Sequence, residues 1–528
     1  MLRHLRAPNK IRYLWVDAIC INQDDAKEKS AQVKEMGAIY RQAKKVRIWL
    51  GDVVNEDHVF EVLIALKAVA SLFWNSGING PEGRESTLHR TLQRICGEAY
   101  RAHLNRFFSR PWFGRRWVIQ EAILSVDTTI HCGNFQLPWK CIVEAAKYLH
   151  VAFSQDNGFD VDLFAALQTV HSMSTCTDST LLTLLWDFHT SLCSMPEDRI
   201  FALFGLAGDS TMVSHWDYTL FWVDLFTEVA GTYLLRDDTH IWDHLIHFGS
   251  LSDHETLGCE YPSWLPNWTG PRQTTHAPRN VGDWLVSNQL RHSFDPKDRS
   301  ITVRGFYAGM IQYITDLTPS SLLKADNAGS SNSLTIDELT ALGRIIDIII
   351  DGYPPFQEQI TNSEGLEYGK QGSEQIRNQI NHLLGIGQRD FRISVEHPFQ
   401  RRVFDCVELI LSEYVVLNTW RAVPAGTSGS NPIAQSLSSV VGIGPRSTRV
   451  GDILFFPQHK NAYEPRGRFN RGDHIKFGLV LRLTDSDLLA SCDFRFLKID
   501  ALARRCRYVG HCFFFTGGLL TETDVILV

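Results

Sequence analysis

The stretch Tyr13 to Gly51, YLWVDAICINQDDAKEKSAQVKEMGAIYRQAKKVRIWLG, constrains the fold more than any other, because it reads as a complete strand, helix and strand. Tyr13 to Val16 is a short unbroken apolar run, as expected for a strand buried on both faces, closed by Asp17 and then by Asn22 and Gln23. Asp25 followed three residues later by Glu28 has the spacing of a capping box, so a helix is expected to start there. Val33, Met36, Tyr40 and Ala43 recur at helical spacing, and Val46 to Leu50 followed by Gly51 supplies a second strand. A parallel βαβ unit is the economical reading.

These residues closely resemble the heterokaryon incompatibility (HET) domain of filamentous fungi, whose pattern runs LWIDAICINQ, then D..E...QV..M..IY..A, then V..WLG. About a dozen positions match at fixed spacing, which makes the signal specific. Further segments agree in the family's order: Arg110 to Phe113 (RPWF), Trp117 to Glu121 (WVIQE), Pro196 to Leu206 (PEDRIFALFGL), Pro262 to Pro266 (PSWLP) with Trp268, and Gly442 to Pro445 (GIGP) with Gly451 and Asp452. The resemblance implies nonself recognition that triggers regulated cell death, signalled by HET-domain assembly with its own copies or with another incompatibility protein. It also implies a TIR-like, flavodoxin-type parallel sheet at the N-terminus. The family's opening Y..LSY.WG strand lies upstream of LWIDAICINQ, whereas here Tyr13 is preceded by only twelve residues. A truncated domain with an open strand edge is the expectation, with a non-functional relic as one alternative.

Composition fits an ordinary cytosolic protein. At 528 residues and 44% hydrophobic, the chain suffices for two to four domains with real cores. Its 11 cysteines form no CxxC pair and no secretory leader is recognised, so reduced thiols are expected rather than a disulfide framework. Cys506, His511 and Cys512 do not have the spacing of a tetrahedral site, and no metal is expected. No apolar run approaches the ~18 residues of a membrane span. A net charge of −7, with only small basic clusters at Lys44-Lys45 and Arg504-Arg505, argues against a nucleic-acid footprint.

The expected organisation is a HET domain over 1–150, a helical middle region over 151–300, a mixed helical and linker region over 301–449, and a small β-rich C-terminal module over 450–528. Leu181, Leu184, Leu185 and Phe188 share a helical face, and Ile200 to Leu206 is a further apolar helix. A helix is expected from Ile336 to Asp351, between Ser, Gly, Asn and Pro-rich loops at 324–333 and 424–448. Strands are expected at Ile453 to Phe456, Ile475 to Leu483 and Tyr508 to Phe515. No internal repeat is present.

Pro111 has the character of a first helical residue, and on one continuous helix Phe113, Trp117, Glu121 and Leu124 fall at i, i+4, i+8 and i+11, one face. Glu121 interrupts that apolar stripe, so desolvation would push its pKa up. Two readings stand. In one, Glu121 pairs with Arg110, Arg115 or Arg116 and supports the core. The other follows a second, shorter resemblance, of WVIQE to the W-x-x-x-E segment of NAD-cleaving TIR enzymes. That resemblance implies NAD as substrate, with no bound cofactor, and Glu121 as the residue that stabilises the oxocarbenium-like transition state while Trp117 holds the helix. Asp17, Asn22 and Gln23, at the carboxyl end of their strand, would form the rim, although Asp17 also suits a turn or cap.

Asp198 and Arg199 read as an ion pair. Ser263 lacks the G-x-S-x-G elbow of a nucleophile and reads as rigid interdomain packing. The GIGP segment reads as a turn rather than a phosphate loop.

Overall fold

The computed structural model describes residues 2–315, apart from 7–10, 12, 55–57, 75–97, 155–160, 177, 211–216, 237, 239, 250–260 and 271–289; it further describes 317, isolated positions from 342 to 411, and 414–420, 440–458, 476–483, 504–515 and 521–528. The chain divides into two compact units, Met1–Val229 with Trp268–Arg272, and Ala230–Asn267 with Gln273–Val528. The architecture is mixed α and β.

In the first unit, short helices α1 (Leu2–Leu5) and α2 (Asp17–Cys20) precede the long helix α3 (Ala26–Gln42). Asp25 caps α3 as its spacing predicts: its Oδ1 accepts from the Lys27 N–H at 2.9 Å and the Glu28 N–H at 3.2 Å. Glu28 reaches back to the Asn22 N–H at 3.0 Å rather than to its own cap residue. Val33, Met36 and Tyr40 form the buried face, and strand β1 (Val46–Trp49) follows as expected.

Tyr13 to Val16 is not a strand. Tyr13 is 95% exposed and Leu14 43% exposed, and the segment runs straight into α2. What anchors it is an aromatic contact, Trp15 packing edge-on against Tyr40 with centroids 6.0 Å apart. The parallel partner of β1 is instead β2 (Thr128–Cys132), paired Val46 to Thr128 through Trp49 to His131. Between them lie α4 (Val59–Trp74), α5 (Glu98–Phe108), α6 (Pro111–Gly114) and α7 (Val118–Ile123). Strand β3 (Phe135–Pro138) adds antiparallel to β2, giving the order β1-β2-β3.

Among the described residues six helices follow: α8 (Trp139–Ser154), which begins inside the region expected to be the HET domain, and α9 (Val161–Ser172), α10 (Leu181–Asp187), α11 (Asp198–Phe204), α12 (Trp222–Leu235) and α13 (His240–Phe248). Leu181, Leu184, Leu185 and Phe188 are all buried.

The second unit is built around an eight-stranded sheet that starts well before residue 450. Its strands are β4 (His292–Asp295), β5 (Ser300–Thr315), β6 (Tyr414–Trp420), β7 (Val440–Pro445), β8 (Ile453–Pro457), β9 (Lys476–Leu483), β10 (Arg504–Phe515) and β11 (Thr521–Leu527). β8, β9 and β10 match the three expected strands. The GIGP segment is not a turn but the end of β7, paired with β6 and β10. Pairings β5–β8, β8–β9, β9–β10, β10–β11 and β11–β5 close on themselves, so these five strands form a ring, with β4 added on β5. Most of the helix expected at 336–351 and all of the loop at 324–333 lie outside the described residues. No helix among the described residues is long and apolar enough to cross a membrane.

Candidate functional site

Glu121 does not sit on a continuous helix from Pro111. The chain breaks at Arg115 to Trp117, because the backbone there is recruited sideways: the Arg116 N–H donates to the Leu192 carbonyl at 2.8 Å, and Arg115 forms a parallel bridge with Leu192. α7 therefore starts afresh, with Trp117 as its half-buried cap residue. This rotates Glu121 away from Phe113, which instead packs with Phe107 and Phe108.

The neighbours of Glu121 are Trp112, Tyr40, Arg115 and Asp17. The Trp112 indole N–H makes a long contact with Oε2 at 3.5 Å, and the Tyr40 hydroxyl is its second hydrogen-bonding group. Trp112 also packs edge-on against Trp139. Burial is the largest influence and pushes the Glu121 carboxyl above its ordinary range; Arg115 and the two donors pull it back, and Asp17 pushes it up. Tyr40 is pushed strongly upward by the same burial and by the two carboxylates. Tyr40 and Trp112 were missed in the sequence because both lie among apolar residues and read as core. The available signal was that a buried Tyr or Trp needs a partner for its polar tip.

Asp17, the first residue of α2, is thus brought to Glu121. Its Oδ1 accepts from the Ala18 N–H at 2.8 Å and its carbonyl accepts from Gln23 Nε2 at 3.2 Å. Asn22 Oδ1 accepts from the Asp24 N–H at 3.2 Å. Asn22 and Gln23 are thus engaged in shaping the turn before α3, and Trp117 is not among the groups acting on Glu121.

Of the three arginines considered as partners of Glu121, only Arg115 acts on it. Arg110 donates to the carbonyls of Leu50 at 2.9 Å and Asp52 at 3.1 Å, straddling Gly51, whose φ of +103° and closeness to that guanidinium leave room only for glycine. Arg116 is fully buried, donating to the carbonyls of Arg199 and Phe188 and to Ser191 Oγ at 2.8, 2.7 and 3.0 Å. Burial, with Arg199 nearby, pulls its pKa down to about 9. Gln120, buried beside Glu121, donates Nε2 to the carbonyls of Phe201 and Ala202 at 3.2 and 2.8 Å. It packs where Gly37 of α3 and Gly205 meet: a Cβ on Gly205 would lie 2.7 Å from Gln120 Oε1.

The expected Asp198–Arg199 pair is replaced by separate partners, since adjacent helical residues do not face each other. The Tyr218 hydroxyl donates to Asp198, and Arg199 donates to the carbonyls of His189, Ser191 and Thr269. Ser263 is held within the second unit rather than between domains: its N–H and hydroxyl donate to the Val528 carbonyl, and Trp264 Nε1 donates to the Arg299 carbonyl at 2.9 Å. Among the described residues no group of three His, Cys, Asp or Glu side chains is placed to hold a metal ion.

Residues 1–121 match the family model described as heterokaryon incompatibility protein (HET), ending on Glu121 itself. The chain is also similar to heterokaryon incompatibility protein 6, OR allele, of Neurospora crassa, 27% identical over 382 residues, which cover 60% of this chain and 54% of that protein. The chain therefore spans about half the length of that relative. No solved structure matches it. The similarity to the heterokaryon incompatibility (HET) family is thus carried by the first 121 residues.

Proposed function

We propose that this chain acts in fungal vegetative incompatibility, as a cytosolic nonself-recognition protein that triggers regulated cell death, with residues 1–150 signalling by assembly with other copies or with another incompatibility protein. The observation that carries the reading is the HET match over residues 1–121, together with the similarity to an incompatibility protein. Assembly is favoured over chemistry because burial, the largest influence on Glu121, works against the carboxylate charge that would have to stabilise a developing cation. Inducible expression of the full chain in a fungal host is expected to arrest growth and kill cells; continued growth at a verified protein level would refute the proposal.

A second reading, an NAD glycohydrolase on a TIR-like fold, is favoured by one observation, that Asp17 and Tyr40 converge on Glu121. A buried acid bonded to a hydroxyl, with a second acid acting on it, is an arrangement of the kind found in active sites. On this reading purified protein consumes NAD and Glu121→Gln does not. Absence of NAD loss with folded parent protein eliminates it.

A further inference from the structure

We propose that the outer face of α4, with the β2–β3 hairpin beside it, is a self-association surface on which a second copy of this chain docks with its own α4 antiparallel, centred on Ile64. The inference deepens the assembly reading above and rests on it. One face of α4 is core: Val62, Leu66 and Val69 are buried. A surface helix ordinarily turns polar residues to water on its other side, yet here Phe60 is 54% and Ile64 51% exposed. The patch continues onto β3, where Phe135 is 36% exposed with its ring 5.7 Å from that of Phe60. Clustered exposure of this kind marks an interaction site.

Strand addition is the poorer way to cover it. β3 is the end strand of its sheet, but it has four residues and closes on Pro138, which lacks an N–H. Side-chain packing against the helix is left. The charges on the helix select the occupant. Glu61 and Lys67, both exposed, stand three residues on either side of Ile64, about 9 Å apart along the axis. An antiparallel copy centred on Ile64 lays its basic end over the acidic end of the first, twice by symmetry, whereas a parallel copy would set like over like. The same axis sets the large Phe60 at the level of the small Ala68 of the second copy. Such a two-fold contact is self-complementary and closed.

Sedimentation equilibrium of the full chain tests this, using Glu61→Lys, Lys67→Glu, both together, and Ile64→Lys, with thermal melts to confirm folding. The parent is expected to dimerise, and each single charge reversal to weaken dimerisation by about tenfold. Mixing the two single variants, or combining the two changes in one chain, is expected to restore it, and Ile64→Lys to abolish it. Single variants that associate as the parent does, or a mixture no stronger than its components, would overturn the face while leaving assembly-based signalling standing. A parent that stays monomeric at about 100 µM overturns the face as well. Restored association without effect on host arrest would keep the face and sink the signalling role.

Discussion

Asp452 in the second unit and Glu121 in the first are two sheltered carboxylates with opposite surroundings. Asp452 follows Gly451, whose φ is +97°, and receives Arg482 in a fork: Nε to Oδ1 at 2.8 Å and a terminal nitrogen to Oδ2 at 2.9 Å. The Arg449 N–H adds a third donor at 2.8 Å, and Arg482 also donates to the Ser447 carbonyl at 2.9 Å. Here the charge is answered by a charge, and the arrangement ties β8 to β9. Glu121 has no such fork: Arg115, two neutral donors and a second acid act on it, and burial outweighs each of them. Both residues belong to motifs of the chain, yet one motif is structural cement and the other leaves a group whose protonation can change. A fully satisfied ion pair has nothing left to offer a ligand.

The largest effect belongs to Asp452→Ala, which leaves Arg482 partly buried and uncompensated. The loss is expected to be about 3–5 kcal/mol, measured as a lower denaturant midpoint. A loss under about 1 kcal/mol would mean that the pair is no more than a surface bridge.

Gly205→Ala comes next. The added methyl meets Gln120 Oε1 at 2.7 Å, with the Gly37 backbone at 3.1 Å behind it, so the α3–α11 crossing must open at a cost of about 1–3 kcal/mol. Gln120 Oε1 is already buried without a hydrogen-bond partner, so the side chain cannot simply turn into a better site. An unchanged melting temperature would show that the glycine contact is not required.

Tyr40→Phe removes one of the two donors to Glu121 and is expected to cost about 1 kcal/mol. It should also raise the Glu121 pKa further, because the hydroxyl favours the charged form. Carboxyl titration followed by infrared difference spectroscopy reads this directly, and a downward shift would show that Tyr40 is not a donor to it.

The smallest effect is a slope. Burial holds Glu121 above its ordinary value of 4.5, so its contribution to stability is complete below that value and is lost as pH rises through the raised folded pKa. Glu121→Gln cannot ionise and should flatten stability against pH in that window, gaining relative to the parent on the alkaline side. The opposite slope would mean that the folded protein prefers the charged carboxylate.

The parts of the molecule governed by local rules were legible from the sequence. Asp25, with a short polar side chain before a periodic run, announced the start of α3, and the apolar stretches at Val46 and Ile453 announced β1 and β8. Tyr13 to Val16 misled because four apolar residues carry no periodicity of their own, and one aromatic contact to Tyr40 replaced strand pairing. The long helix through Glu121 misled for a tertiary reason, the capture of the Arg116 N–H by Leu192, a residue far along the chain that no local pattern anticipates. With that break went the predicted Phe113 and Trp117 companions of Glu121. The depressed charge preference of Glu121 survived the error, because an acid in an apolar segment is desolvated whichever aromatic residues surround it.

The central claim is that this chain signals by assembly rather than through the charge of Glu121. Glu121→Gln in the full chain, expressed inducibly in a fungal host at parental protein level, tests it most directly. Host arrest equal to the parent's is the predicted result; a folded Glu121→Gln protein that no longer arrests growth, and no longer lowers cellular NAD where the parent does, would contradict the account.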